Sequence, residues 1–257
     1  MLQAKSTENE SLLFAPEIDK PASVRRRARS NRIVCPHCEE PVHFKTGTEK
    51  IWHFAHDTSR SCSGPEGPDY RPESRVHKLL KWALYRWLHN EHQTADVQVE
   101  ASLENRFKKR QFADVLLRSG KHQVALEVQQ SSISPKVWRE RHEGYLSLGI
   151  RDEWILVGGE HISLAEERSD SRSFELSALA RAIVRETGRL LWIDEKTVGR
   201  LEEIGEQQVP NSRDVMVWAI EAIASHYYYE GKGGPLSDSS LRDRPAKESK
   251  DFTGVLL

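Results

Sequence analysis

Cysteine is scarce in this sequence, with three residues in 257. Three thiols cannot build the disulfide framework that holds small secreted domains together. The opening residues, MLQAKSTENE, lack the apolar core of a secretion signal, and no stretch of the chain is apolar enough to span a membrane. We therefore expect a cytoplasmic protein with no membrane partner, whose cysteines are metal ligands or inert thiols.

An excess of either charge is also missing, because 38 lysines and arginines balance 39 acidic residues and leave a formal net charge of −1. Nucleic-acid binding therefore cannot be argued from total charge and must rest on local clusters. Two basic clusters stand out in the sequence. One runs from Arg25 to Arg29, and the other consists of Lys108, Lys109 and Arg110.

The most informative stretch is QFADVLLRSGKHQVALEVQQ, residues 111–130. Apolar and polar residues alternate on both sides of a glycine, which predicts two strands joined by a turn. A turn at Gly120-Lys121 places Asp114 directly opposite Glu127, whereas a turn one residue earlier makes them diagonal neighbours on one face. Either register is expected to bring the two carboxylates together.

Gln129 follows Glu127 by two residues and therefore shares its face of the strand. Paired carboxylates beside a polar amide suit a hard divalent cation, Mg²⁺ or Mn²⁺, which takes oxygen ligands. We predict Asp114 and Glu127 as ligands of this ion. A solvated polar strand face is the alternative interpretation.

A second pattern of donors precedes this stretch. Cys35-x2-Cys38 is followed by His53-x2-His56, a spacing typical of structural zinc sites. Cys62 is available as a replacement for either histidine. A redox role for the two paired cysteines is the alternative, but such motifs normally stand between a strand and a helix.

Composition and periodicity divide the chain into five regions. We predict a flexible basic arm over residues 1–32, a zinc-binding module over 33–68, a core over 69–160, an α/β extension over 161–229 and a disordered tail over 230–257. Within the core, the apolar spacing predicts the order helix, three antiparallel strands, helix, strand. The two helices are expected to begin near Pro72 and Pro135.

The order of these motifs resembles the competence protein CoiA-like nuclease family, within the PD-(D/E)XK restriction-endonuclease-like fold. The matching pieces are CPHC at 35–38, HFAH at 53–56, ES-x2-H at 73–77, R-x2-AD at 110–114, EVQ at 127–129, ER-x3-Y at 140–145 and WIL at 154–156. A series of motifs in one order is more specific than any single one. The resemblance implies an α/β (α+β) fold in which a small zinc module precedes an αβββαβ core with a mixed sheet.

The resemblance also implies roles for individual residues. Asp114 and Glu127 would bind the metal, and Gln129 stands where many relatives of the fold carry a lysine. A neutral glutamine supplies no positive charge to the scissile phosphate. Glu73 and His77, four residues apart on the first helix, would share a face and point towards the metal, where Glu73 would orient a bound water. A helix-start acid favoured by the macrodipole is the alternative for Glu73.

Arg141 falls on the apolar stripe of the second helix, where a charged residue needs a partner. We predict that it clamps a phosphate or braces a carboxylate, with an amphipathic side chain along the surface as the alternative. The residues predicted to contact DNA are His77, Lys108, Lys109, Arg110 and Arg141.

These features predict a Mg²⁺-dependent nuclease that hydrolyses phosphodiester bonds of DNA, with zinc as a structural ion. The family name points to DNA uptake and recombination, and the same core serves repair and phage defence. DNA is the predicted partner, and a protein partner in recombination or defence is left open. The rival interpretation is a zinc-containing nucleic-acid-binding module with little catalysis.

Overall fold

The computed structural model describes residues 1–47, 51–57, 62, 73–106, 109–167, 172–193, 198–199 and 227–230. The strands within these residues are β1 (Gln3–Ser6), β2 (Leu12–Phe14), β3 (Ile33–Val34), β4 (His43–Lys45), β5 (His53–Ala55), β6 (Asp96–Glu104), β7 (Arg110–Ser119), β8 (His122–Gln129), β9 (Arg151–Val157), β10 (Ile162–Glu167), β11 (Arg172–Leu176), β12 (Arg189–Ile193) and β13 (Tyr227–Glu230). The helices are α1 (Pro21–Arg29), α2 (Arg75–Glu91), α3 (Pro135–Leu146) and α4 (Ala178–Thr187), with a 3₁₀ turn at Ala15–Glu17. None of the described helices combines the length and the apolar character needed to cross a membrane.

A six-stranded mixed sheet, in the order β13-β12-β9-β8-β7-β6, forms the centre of the molecule. Strands β6, β7 and β8 form an antiparallel meander, and β8 pairs in parallel with β9. Parallel neighbours need a crossover connection, which α3 supplies. The order helix, three strands, helix, strand therefore agrees with the sequence prediction, and the fold is the predicted α+β type with a mixed sheet.

Helices cover both faces of this sheet. Ile155 and Val157 pack into the core beneath α2, while Trp154 and Leu156 pack against α3 and α4 on the other face. A strand buried on both faces needs apolar residues at every position, which explains the unbroken run WILV. Strand β12 pairs in parallel with β9, so the region predicted as a separate extension continues the central sheet.

The alternation of faces reverses in the middle of β6. Val99 belongs to the core beneath α2, yet Ala101, two residues later, belongs to the core that contains residues of α3. Glu100 between them has a φ of 53°, in the left-handed region that residues other than glycine seldom adopt. Across the ladder the same reversal occurs at Asp114, whose two neighbours in β7 belong to different cores.

Residues 1–32 are folded, so the predicted flexible arm is wrong. Strands β1, β2 and β3 form an antiparallel sheet, and α1 packs Val24 and Ala28 into one core with residues of the predicted zinc module. Pro21 lies in the first turn of α1 and Pro16 in the 3₁₀ turn. These prolines begin helical turns, because their fixed φ suits that position, and do not signal disorder here.

The N-terminal module, which we define as the described residues between 1 and 62, docks on the α2 side of the sheet. The side chain of Leu2 is fully buried in the core beneath α2. The rings of Phe14 and Tyr85 lie 4.5 Å apart, and Glu17 Oε1 lies 3.1 Å from Arg86 Nε. The module therefore shares a continuous apolar and polar interface with α2.

Parts of the sequence prediction fall on residues outside the described ranges. Of the predicted tail, residues 230–257, only Glu230 is described, and it ends β13. Lys108 also lies outside the described residues.

Replacing Leu2 by alanine tests the docking of the N-terminal module. Leu2→Ala should destabilise the protein by about 2–5 kcal/mol, because a fully buried leucine leaves a cavity. Leu12 is 53% exposed, so Leu12→Ala should change the stability by less than about 0.5 kcal/mol. Urea unfolding measures both values, and equal stability of the two variants would contradict the docking of Leu2.

Candidate functional site

Two elements bring metal-binding atoms together on the α2 side of the sheet. One ligand atom from each of Glu73, His77 and Asp114 lies within 4.8 Å of the others, and we call these residues the acidic group. The Ser74 hydroxyl accepts a hydrogen bond from the His77 amide at 2.9 Å and caps α2. Glu73 therefore lies just before the helix, and the extended backbone of Ser74 connects it to the first turn of α2, which carries His77.

The carboxylate of Asp114 is held by an imidazole and a backbone amide. Its Oδ2 accepts a hydrogen bond from the Val128 amide at 2.9 Å and lies 3.1 Å from His77 Nε2. Burial by itself would raise the pKa of Asp114, but His77, Lys81 and the Val128 amide hold it well below its ordinary value. Burial by itself would lower the pKa of His77, and Asp114 raises it instead. Asp114 is therefore ionised at neutral pH.

Lys81 lies beneath the acidic group and is fully buried. Its Nζ lies 2.6 Å from Glu73 Oε1, 2.8 Å from Glu100 Oε1 and 3.9 Å from Asp114 Oδ1. Burial by itself would lower the pKa of Lys81, but the neighbouring carboxylates raise it. Burial also opposes ionisation of Glu100, whose pKa Lys81 nevertheless lowers to about 2. Both partners are charged at neutral pH.

Glu127 faces α3 and not α2. Its Oε1 accepts hydrogen bonds from the Tyr145 hydroxyl and from Arg141 Nη2, the latter at 2.7 Å. Arg141 also donates to the carbonyl of Phe112 at 3.2 Å, and its guanidinium lies 5.0 Å from the centre of the Trp154 ring. Burial raises the pKa of Glu127 to about 7, although Arg141 opposes this shift.

The ladder between β7 and β8 has the first of the two predicted registers. A two-residue turn at Gly120-Lys121 joins the strands, and their pairing runs from Ser119 opposite His122 to Val115 opposite Leu126. Asp114 and Glu127 are the next residues of the two strands. Their side chains contact different helices because the face alternation reverses at Asp114. The prediction that these two carboxylates form one metal site is therefore corrected: within the described residues, Asp114 is grouped with His77 of α2 and with Glu73, which directly precedes the cap of that helix.

A second donor group lies in the N-terminal module. One ligand atom from each of Cys35, Cys38, His56 and Cys62 lies within 4.8 Å of the others, and we call these residues the thiol group. Cys35 Sγ and Cys62 Sγ are 3.7 Å apart, well beyond the roughly 2.05 Å of a disulfide bond. Cys38 Sγ lies 3.3 Å from His56 Nε2.

His53 lies outside the thiol group. Cys62 is the fourth donor of that group instead. His53 begins β5, where successive side chains alternate between two faces. His56 follows directly after β5, and of these two histidines only His56 places a ring nitrogen within 4.8 Å of the cysteine sulfurs. The Nδ1 of His53 lies 2.8 Å from the carbonyl oxygen of Ile51 instead.

The remaining predicted residues lie around these two groups. The Gln129 amide donates to the backbone carbonyl of Ser131 and, at 3.3 Å, to its hydroxyl. Lys109 and Arg110 are exposed at the start of β7, four or more residues before Asp114. Of the roles predicted for Arg141, the structure shows a contact with a carboxylate.

Sequence reasoning missed Lys81, Glu100 and Tyr145. A signal existed for Lys81, because it follows His77 by four residues and therefore shares its face of α2. No comparable signal marks Glu100, which occupies a polar position of an alternating strand. Tyr145 ends the ER-x3-Y motif, which by itself gives the residue no role, and its hydroxyl donates to the buried carboxylate of Glu127.

Comparison with known proteins matches both parts of this structure. The family model described as "Competence protein CoiA, nuclease-like domain" matches residues 73–197, and "Competence protein CoiA, N-terminal domain" matches residues 19–64. The chain is a CoiA-like protein, since the two CoiA models match adjacent parts of it in order. The first CoiA match contains the acidic group. The second contains all four residues of the thiol group and the whole of α1.

The chain spans about a third of the length of the curated relative that it matches. The chain is 32% identical over 135 residues to "Competence protein CoiA" of Bacillus subtilis (strain 168), which covers 52% of this chain and 34% of that protein. A crystal structure described as "Protein of Unknown Function AF1548" matches 56% of this chain and 98% of that one, with 12% identity and a TM-score of 0.24. A TM-score this low does not establish a common fold.

Removing Arg141 should destabilise the protein in a pH-dependent way. The folded pKa of Glu127 is raised to about 7 from its ordinary value of 4.5, so this group costs stability as the pH rises through that window. Without Arg141 the folded pKa rises further, and the cost becomes largest above pH 7. Arg141→Met should therefore lose little stability at pH 5 and about 2 kcal/mol at pH 8.

Urea unfolding at the two pH values measures this difference. Arg118→Met is the matched control, because Arg118 pairs with the exposed Asp96 at 3.3 Å and should lose at most about 1 kcal/mol at either pH. Equal losses for Arg141→Met at pH 5 and pH 8 would show that Arg141 does not stabilise the ionised form of Glu127.

Proposed function

We propose that this chain is a metal-dependent nuclease that hydrolyses phosphodiester bonds of DNA. The acidic group carries the proposal, because an ionised aspartate, a second carboxylate and an imidazole converge within a segment that matches a nuclease-like domain. The competence family supports DNA as the substrate, in uptake and recombination, with repair and phage defence as alternative settings.

The donor atoms of the acidic group fit a divalent cation. Asp114 stays ionised at neutral pH, so it can bind a cation without first losing a proton. Carboxylate oxygens suit Mg²⁺ and Mn²⁺, while an imidazole suits transition metals. With His77 as a third donor, the set favours Mn²⁺ over Mg²⁺.

The residues around the acidic group supply distinct parts of the proposed chemistry. A bound divalent cation would lower the pKa of a water molecule and offset the charge that develops on the phosphate. Glu73, His77 and Asp114 would hold the cation, each with one ligand atom. Glu127, with a pKa of about 7, can hold or release a proton at neutral pH on the adjacent strand.

We further propose that the thiol group holds a structural zinc ion. Two thiolates at about 2.3 Å from a tetrahedral zinc lie roughly 3.8 Å apart. The distance of 3.7 Å between Cys35 Sγ and Cys62 Sγ agrees with this geometry. Three sulfurs and one nitrogen leave no ligand position for a reacting water, which is typical of structural zinc.

The contacts of Gln129 and Glu127 favour a second candidate, a zinc-containing nucleic-acid-binding module with little catalysis. The Gln129 amide is engaged by Ser131, and Glu127 is engaged by Tyr145 and Arg141. In this case the chain binds DNA through residues such as Arg110 without cleaving it.

Cleavage of single-stranded, double-stranded and branched DNA with Mn²⁺ or Mg²⁺ tests the proposed nuclease. Asp114→Asn should lower the cleavage rate by about a hundredfold or more, because it removes the charge that holds the cation. Asp96→Asn is the matched control, since Asp96 is exposed in the same sheet, and its rate should stay unchanged. A wild-type protein that binds DNA but cleaves no substrate would support the binding module.

Elemental analysis tests the zinc proposal. The purified protein should contain about one zinc ion per chain, and Cys62→Ser should lose it and unfold at a lower temperature, because the energy of metal binding is folding energy. His53→Asn should keep the zinc. Zinc retained in Cys62→Ser and lost in His53→Asn would restore the ligand set predicted from the sequence.

A further inference from the structure

Lys81 is a single positive charge among three carboxylates. Its Nζ contacts Glu73 and Glu100 directly and lies 3.9 Å from Asp114 Oδ1. An ammonium that is fully buried cannot touch a DNA substrate, so any influence of Lys81 on the reaction must pass through the carboxylates that it contacts. Two of them, Glu73 and Asp114, belong to the acidic group.

Glu100, which is not part of the acidic group, holds Lys81 in place. Its Oε1 is bound by Lys81, and its Oε2 accepts a hydrogen bond from the backbone amide of Leu2 at 2.9 Å. Leu2 is itself fixed, because its side chain is fully buried beneath α2. Both oxygens of Glu100 are therefore engaged, one of them by the N-terminal module, and Glu100 provides a rigid support for the ammonium.

The position of Lys81 has two opposite effects on a cation in the acidic group. Its charge reduces the net negative charge of Glu73 and Asp114 and so weakens their attraction for a divalent ion. Its hydrogen bond also restricts the rotamer of Glu73 and keeps this donor aligned with His77 and Asp114. A buried lysine with this geometry therefore lowers the affinity for the metal ion and at the same time keeps the ligands aligned.

We propose that Lys81 is a positioning residue of the acidic group: supported by Glu100 and by the backbone of Leu2, it aligns Glu73 and sets the charge that the metal meets. The effect on cleavage rests on the proposed nuclease function. The effect on metal affinity does not require cleavage.

The double variant Lys81→Met/Glu100→Gln tests this role. Removing only one partner leaves a buried unpaired charge, whereas removing both replaces the pair by neutral side chains of similar size and preserves the fold. Circular dichroism and urea unfolding check that the double variant is folded. The matched control is Lys5→Met/Glu10→Gln, which removes an ion pair of 3.4 Å whose glutamate is exposed.

Mn²⁺ titration followed by electron paramagnetic resonance measures the affinity of the acidic group, with Asp114→Asn identifying the signal of that site. We expect the double variant to bind Mn²⁺ about tenfold more tightly than the wild type, because the opposing charge is gone. At saturating Mn²⁺ we expect its DNA cleavage to be about a hundredfold slower, because Glu73 is no longer aligned. The control variant should match the wild type in both measurements.

Each outcome decides a separate point. A folded double variant with wild-type Mn²⁺ affinity overturns the positioning role, because Lys81 then serves only to pair with Glu100. Tighter binding with wild-type cleavage at saturating Mn²⁺ also overturns it, since alignment would not matter. If the wild type binds Mn²⁺ and cleaves no DNA, the nuclease proposal fails, while tighter binding in the double variant still supports the influence of Lys81 on the acidic group. A wild type that binds no Mn²⁺ overturns both.

Discussion

The pairing of buried charges between α2 and the meander of β6, β7 and β8 is the constraint on which the rest of this structure depends. Lys81 is fully buried, and so are the carboxylates of Glu100 and, on the other face, Glu127. Each charge removed from water carries a desolvation cost that only a well-placed partner offsets. The positions of α2 and α3 must therefore satisfy electrostatic pairing as well as apolar packing. The left-handed backbone of Glu100 serves the same pairing. It interrupts the regular alternation of β6, and the carboxylate of Glu100 accepts a hydrogen bond from Lys81.

The N-terminal module takes part in the same network. Its backbone at Leu2 binds Glu100, and its His37 ring lies 4.9 Å from the ring of Phe112, two residues before Asp114. His37 stands between the two cysteines of the first donor pair, so the thiol group and the acidic group are linked through a short path of packed residues. The core of the module includes the thiols Cys35 and Cys62 beside apolar side chains such as Phe44 and Phe54. A metal ion in the thiol group would therefore stabilise the N-terminal module. The backbone of this module at Leu2 holds Glu100 beside the acidic group.

Several features were predictable because they depend on neighbours in the sequence. The two-residue turn at Gly120-Lys121 follows from a glycine between alternating strands, and α3 begins where a serine precedes Pro135. Other features were not predictable. The polar residues and prolines before Ile33 indicated disorder. The few apolar side chains of this segment, such as Val24, nevertheless pack against residues 33–62, and the sequence does not reveal this contact. Likewise, the sequence does not show whether His53 or Cys62 is the fourth donor, because that depends on the local structure of the second donor pair. This pair begins in strand β5, which contains His53 and ends one residue before His56.

The sequence by itself determined the order of the elements, the two classes of donor and the segments that carry them, because periodicity and short spacings are local properties of the chain. Only the tertiary structure decided which donors meet. Asp114 and Glu127 directly follow the paired part of the β7–β8 ladder, yet one contacts α2 and the other α3, because the alternation of faces reverses at Glu100 in β6 and at Asp114 in β7. That reversal is stabilised by contacts between residues 2, 81 and 100, which are distant in sequence. Alternation along a strand cannot encode such contacts, since they form only when separate segments are packed together.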